Sequence, residues 1–180
     1  MKDSKSITLG QFNVSTGKVV VSDPIYTLGT WCQAVLENVK NGTWNATMEQ
    51  SNEGDWGMRN AVLTALHETA VDFEENDWIP SDAQIGADSA QVGIYDFDFF
   101  WNDDKIGTIQ NKFGFPVLKK GDKFKFANLD ATDGEEGAGV FESGVVSRSG
   151  FGDGVYLLET LAGEKDEIVG IRIVFIDNEQ

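Results

Sequence analysis

Three short stretches carry the residue types that chemistry needs: Val21-Ser22-Asp23-Pro24-Ile25-Tyr26, Ile85-Gly86-Ala87-Asp88-Ser89, and Ser147-Arg148-Ser149-Gly150-Phe151-Gly152-Asp153-Gly154-Val155-Tyr156. Each sets an aspartate among small residues where an apolar run ends. Aspartates in such places accept N–H bonds from their own turns, so Asp23, Asp88 and Asp153 are read first as pins that hold loops. The sharper reading gathers the corners at one end of a sheet. Main-chain N–H groups of the glycines, Arg148, Ser89 and Ser149 then receive an anion, while Tyr26, Trp44 or Tyr156 stacks a ring. A nucleotide-like small molecule fits that description, because carboxylates can accept from a base edge or a ribose hydroxyl while fixed donors face the phosphates.

Other chemistries find less. His67 is the single histidine, which rules out a histidine-rich metal centre and makes any Ser-His-Asp triad depend on one residue in a strand-like segment. No G-x-S-x-G elbow, no G-x-x-x-x-G-K-S/T loop and no G-x-G-x-x-G between strand and helix is present. Placing Asp133-Gly134 at the fifth and sixth positions of an EF-hand loop puts Leu129 and Ala131 where oxygen ligands belong. Asp96, Asp98, Asp103 and Asp104 would suit a hard cation if they converged. Cys32 is the only cysteine, so there is no intrachain disulfide and a reducing cytoplasm is the expected home. The three Asn-x-Ser/Thr triplets at Asn13, Asn41 and Asn45 are then chance matches.

The formal net charge of −16 argues against wrapping DNA or RNA. The charge is uneven: Lys105, Lys112, Lys119, Lys120, Lys123 and Lys125 face one acid, Asp122, a local balance of +5 that leaves −21 on the rest. The lysines read either as the solvated edge of a sheet or as a rim that attracts an anion. At 180 residues, with five Trp and twelve Phe, the chain can bury an apolar core as a single domain, with a mobile excursion around 102–139. The opening MKDSKSITLGQF lacks a secretory apolar segment and no run approaches the ~20 apolar residues of a membrane span, so no membrane partner is expected.

The elements that must position these corners read mostly as strands. ITLGQFNV and KVVVS are joined by Ser15-Thr16-Gly17 as an opening hairpin. Thr30-Trp31-Cys32-Gln33 has the form of a capping box, and Trp31, Ala34, Val35 and Val39 follow at helical spacing before Asn41-Gly42 ends the run, which predicts one short helix. GTWNATMEQ and MRNAVLTALHE form strands around a SNEGDWG turn, helix being the alternative for the second, and TAVDFEENDWIPSD is an acidic connector. IGADSAQVGIYDFDFFW supplies a central strand, and LDATDGEEGAG a mobile loop. FESGVVSRSG, GVYLLETLAG and EIVGIRIVFI close the chain as an antiparallel meander turning at Gly152–Gly154 and Gly163–Asp166. The expected fold is mainly β: an antiparallel sandwich or half-open barrel with one or two short helices.

VSDPIY followed by WC, then GTWNA, GMRNA, IGADSAQVGIYD and SGFGDGVY resemble, in that order, a family of bacterial and bacteriophage proteins known only as a domain of unknown function. That family is expected to carry DPCY, VDSGQ and SG-x-GDG-x-Y. The resemblance spans roughly Gln11 to Ile176. Ile25 stands where the family has cysteine, and Ala90 where it has the glycine after Asp-Ser. The resemblance implies no activity and no cofactor. The expected function is a non-enzymatic binding module that captures a small anionic ligand or a partner protein; if the source is a phage, it would sequester a host defence signal in the host cytoplasm. The alternatives are a metal-dependent hydrolase built on Asp88, Asp96, Asp98 and Asp153, and an acidic immunity-type protein that binds a basic toxin.

Overall fold

The structure is a computed structural model that describes residues 2–177. Among these residues eleven strands form two antiparallel sheets packed as a sandwich, with no closed barrel. The first sheet has the order β1 (Ser4–Val14), β4 (Gly42–Asn52), β5 (Met58–His67), β11 (Ile168–Val174), β10 (Gly154–Ala162) and β6 (Trp78–Ala87). The second runs β3 (Ala34–Leu36), β2 (Val19–Ser22), β7 (Gln91–Asp96), β9 (Gly144–Arg148) and β8 (Ala138–Phe141). One helix, α1 (Asp122–Thr132), lies on the outer face of the second sheet. No helix among the described residues is long and apolar enough to cross a membrane.

The second sheet is covered on both faces, so its strands are apolar without alternation. Val19, Val21, Ile94 and Val145 point into the core shared with the first sheet, where they meet Trp44, Met48, Leu63, Leu158 and Ile171. Their neighbours Val20, Tyr95 and Val146 point the other way, into an aromatic layer with Phe99, Phe100 and Phe124 beneath α1. Tyr95 folds back over Gly93, where an added Cβ would come within 2.2 Å of the ring, and its hydroxyl donates to Asn128 Oδ1 of α1 at 2.6 Å. Gln91 Nε2 donates to Asn128 O and to Thr132 Oγ1. The helix is therefore tied to β7 by polar groups as well as rings.

Several expectations fail, each for a physical reason. The opening hairpin does not form: β1 pairs with β4, whereas β2 pairs with β3 and β7. Ser15-Thr16-Gly17 is a crossover between sheets, held by Asp96, whose Oδ2 accepts from Ser15 N (2.7 Å) and Thr16 N (3.1 Å). No helix follows Thr30. Gln33 Oε1 accepts from Thr30 N as a capping box requires, but it also takes Gly29 N, and the Thr30 hydroxyl donates to Thr27 O. Ala34–Leu36 then pairs with β2. The closing meander is broken as well: β9 belongs to the second sheet, so Gly152–Gly154 marks a crossover, and only β10–β11 is a hairpin.

The acidic connector ends at Asp77, because WIPSD begins β6. IGADSAQVGIYD is divided between edge strand β6 and central strand β7. Leu129–Thr132, read as mobile loop, is the last turn of α1. The lysine-rich segment is no sheet edge: Lys105 ends a short 3-10 turn, Lys112, Lys119 and Lys120 lie on a strap without regular structure, residues 106–121, and Lys123 and Lys125 lie in that helix.

Candidate functional site

At one end of the sandwich the chain passes out of β2, from β6 to β7, and from β9 to β10. The pairings Ser22↔Gly93, Gln91↔Arg148 and Ala87↔Gly154 bring these three passages side by side. The three small-residue corners of the sequence therefore do converge, and the way they are joined decides what they can bind.

Asp23 is fully buried and its carboxylate is saturated. Oδ1 accepts from Ile25 N at 2.9 Å and from the Ser89 hydroxyl at 2.7 Å, and Oδ2 accepts from Asp88 N and Ser89 N, both at 2.7 Å. Asp153 Oδ1 accepts from Ala90 N at 3.0 Å. The glycine-rich stretch closes on itself: Ser149 Oγ donates to Gly152 O, Gly152 N to Ser149 O, and the Tyr156 hydroxyl to both carbonyls. Gly150 and Gly152 take φ of 53° and 119°, left-handed values that favour glycine. SRSGFGDGVY is thus a pinned turn. The amides of Ile25, Asp88, Ser89 and Ala90 already hold the protein's own carboxylates, and those of Arg148, Ser149 and Gly152 donate to the carbonyls of Gly137, Ala90 and Ser149.

No family model, curated protein or solved structure matches this chain. Any role for the corner has to be argued from its geometry.

The candidate residues separate into two groups. Asp23, Tyr26, Asp88, Ser89, Ser149, Asp153 and Tyr156 lie at the shared corner, but Asp23, Ser89, Ser149, Asp153 and Tyr156 serve it internally. Trp44 does not belong: it is fully buried in the main core, stacked on Phe12, with its indole N–H donating to Lys40 O at 2.9 Å. Arg148 is exposed at the end of β9, and its stem lies across Gly137 on the β8 side of that strand. His67 is buried on β5 between Asn41 O and the Thr69 hydroxyl. Among the described residues no three His, Cys, Asp or Glu side chains gather in a way that would hold a metal. Asp96 is occupied by the Ser15–Thr16 crossover, and Asp103 accepts from Gly121 N and Phe124 N at the start of α1.

What faces outward is a cavity of about 270 Å³ walled by Tyr26, Trp31, Cys32, Asp88 and Val155. Trp31 is 80% exposed although it belongs to a pinned loop. Asp88 is exposed and, among the described residues, in no ion pair. The Tyr26 phenol is pushed above its ordinary value by burial, then by the neighbouring Asp88 and Cys32, so it stays neutral. Sequence reasoning missed Trp31 and Cys32 as walls because it placed both in a helix. The local signal for their true setting is Gly29, with φ of 93°, just ahead of them.

Ala90 records a cost of this corner. Its φ is 56°, in the left-handed region that favours glycine. An alanine there is strained by about 1–2 kcal/mol, partly offset by the greater freedom glycine gives the unfolded chain. Ala90→Gly is expected to raise stability by about 0.5–1 kcal/mol, or roughly 1–4 °C in Tm for a chain of this size. Thermal unfolding of the two proteins checks it, and a lower Tm for the glycine variant would show that the turn is not strained.

Proposed function

We propose that the protein is a non-enzymatic binding module whose occupant is a basic protein. The observation that supports this reading is that Asp23 and Asp153 take the amides of Ile25, Asp88, Ser89 and Ala90, those nearest the cavity's Asp88. With those four amides spent, the outward charge of the cavity is the Asp88 carboxylate, and Tyr26 and Trp31 are among its walls. Aromatic faces and a carboxylate together attract a cation. The size agrees: about 270 Å³ falls below the roughly 300–1,000 Å³ of pockets that enclose small ligands. It suits one lysine or arginine side chain, its stem against the rings and its head on Asp88. The net charge of −16 would steer a basic partner and speed its encounter.

A fluorescein-labelled peptide rich in lysine and arginine, titrated by anisotropy at low and moderate salt, tests the reading. Salt sensitivity alone would follow from charge, so the variants decide. Asp88→Asn and Trp31→Ala are each expected to weaken binding about tenfold, the scale of a charge-assisted contact, with unchanged Tm. Equal affinity in all three proteins overturns the assignment of this cavity. Calorimetry with nucleotides and cyclic dinucleotides is the opposing arm: heat that disappears in Arg148→Ala would restore the small-anion reading.

A further inference from the structure

A second cavity, of about 360 Å³, lies between α1, the turn joining β8 to β9, and the strap that begins at Ile106. Its lining is mostly apolar, with Phe99, Ile106, Ile109, Ala131 and Phe141. The polar groups around it are unequal. Asp130 is committed to the Asn111 and Lys112 amides at 2.7 and 2.8 Å, and Lys112 reaches Asp133 at 3.8 Å. Lys105, at the rim, is exposed and in no ion pair among the described residues. Glu142, an acid, also lines the cavity, which disfavours a ligand of high negative charge.

The strap is fastened at both ends and free between. Ile106 N donates to Asp103 O, and the Asn111 and Lys112 amides are held by Asp130. Among the described residues, no backbone amide or carbonyl of residues 107–110 makes a hydrogen bond, although all four residues line the cavity. Gly107, Thr108 and Gln110 are exposed, so their amides can meet a ligand as readily as water, and such donors beside an apolar cavity and a free ammonium are the parts of a site that takes an apolar body with one anionic head. The volume lies within the range of small-molecule pockets. We infer that this cavity is a binding site for an apolar monoanion of the medium-chain carboxylate or aryl sulfonate class. The body rests on Phe99, Ile109 and Ala131, and the head is held by Lys105 and the strap amides.

The probe is 1-anilinonaphthalene-8-sulfonate, followed by fluorescence, with decanoate as competitor. The native protein is expected to give saturable, one-site binding that decanoate displaces. Ala131→Phe, which fills the cavity from the helix side, and Ile109→Asp, which sets an acid in its lining, are both expected to abolish binding. Either variant suffices if the other fails to fold. Lys105→Glu is expected to weaken binding by roughly tenfold or more, since a charge-assisted contact becomes a repulsive one. Leu118→Ser changes an exposed apolar side chain of the strap outside the cavity and is expected to leave binding unchanged. The inference is overturned by non-saturable binding, by equal affinity in Ala131→Phe and the native protein, or by loss of binding in Leu118→Ser.

Discussion

Asp23→Ala is expected to lower stability by about 3–5 kcal/mol, roughly 6–20 °C in Tm. The change removes the acceptor for three backbone amides and one hydroxyl at a fully buried position. Each buried donor left without a partner costs about 1–3 kcal/mol. The sum stays below the arithmetic total because Asp88 and Ser89 lie near enough to the surface for water to serve part of the loss. Asp153→Ala removes the acceptor of one amide and should cost about 1 kcal/mol.

Peptide binding separates positioning from contact. Asp23→Ala should lose stability and affinity together, because Asp88 is carried on the loop that Asp23 holds, whereas Asp88→Asn should lose affinity alone. Denaturant unfolding of the three variants measures the difference. A cost below 1 kcal/mol for Asp23→Ala would mean that water replaces the carboxylate and that the corner is not held by it.

The same aspartates explain what could be read from the sequence. Runs of β-rich residues between turn residues placed β4, β10 and β11, and β5 with helix as its alternative, and they indicated a mainly β antiparallel fold. Such runs could not assign strands to sheets. Ser15–Gly17 and Gly152–Gly154 have the composition of hairpin turns, but Asp96 and Asp153, distant in sequence from the amides they accept, turn both into crossovers. The helix was hidden for a related reason. The residue that caps its N-terminus, Gly121, offers no side-chain cap, and the Gly121 and Phe124 amides are taken by Asp103, some twenty residues earlier. Its apolar residues do not form a clean stripe, since Phe124 and Ala127 enter the aromatic layer while Phe126 meets Phe115 of the strap.

At the corner, the residue types named Asp23, Asp88, Ser89 and Asp153 correctly as neighbours, and Trp44 incorrectly. A tryptophan in an alternating strand goes to whichever face the register selects, and the pairing Trp44↔His67 turns it inward.

That dependence of α1 on distant partners sets the second large effect. At eleven residues the helix is shorter than the roughly 12–15 that an isolated helix needs, so packing must hold it. Phe124 is the ring at the centre of that packing: it is fully buried, with centroids 5.2 Å from Tyr95, 5.5 Å from Phe100 and 5.9 Å from Phe99. Phe124→Ala is expected to cost about 3–5 kcal/mol, the range for truncating a buried aromatic ring.

The loss should also be uneven. The sandwich core between the two sheets does not include Phe124, so hydrogen exchange should quicken most over residues 103–132, by local opening of the helix and its strap. Amides of β5 and β11 should keep the protection set by global unfolding. With the helix loosened, Ala131 and Asp130 no longer close the cavity beneath the strap, and one-site sulfonate binding should vanish while the cationic peptide still binds at the opposite chemistry of the Asp88 corner. Equal loss of protection in helix and sandwich would show instead that the aromatic layer and the main core unfold as one unit, and that the helix is no separable lid over the second sheet.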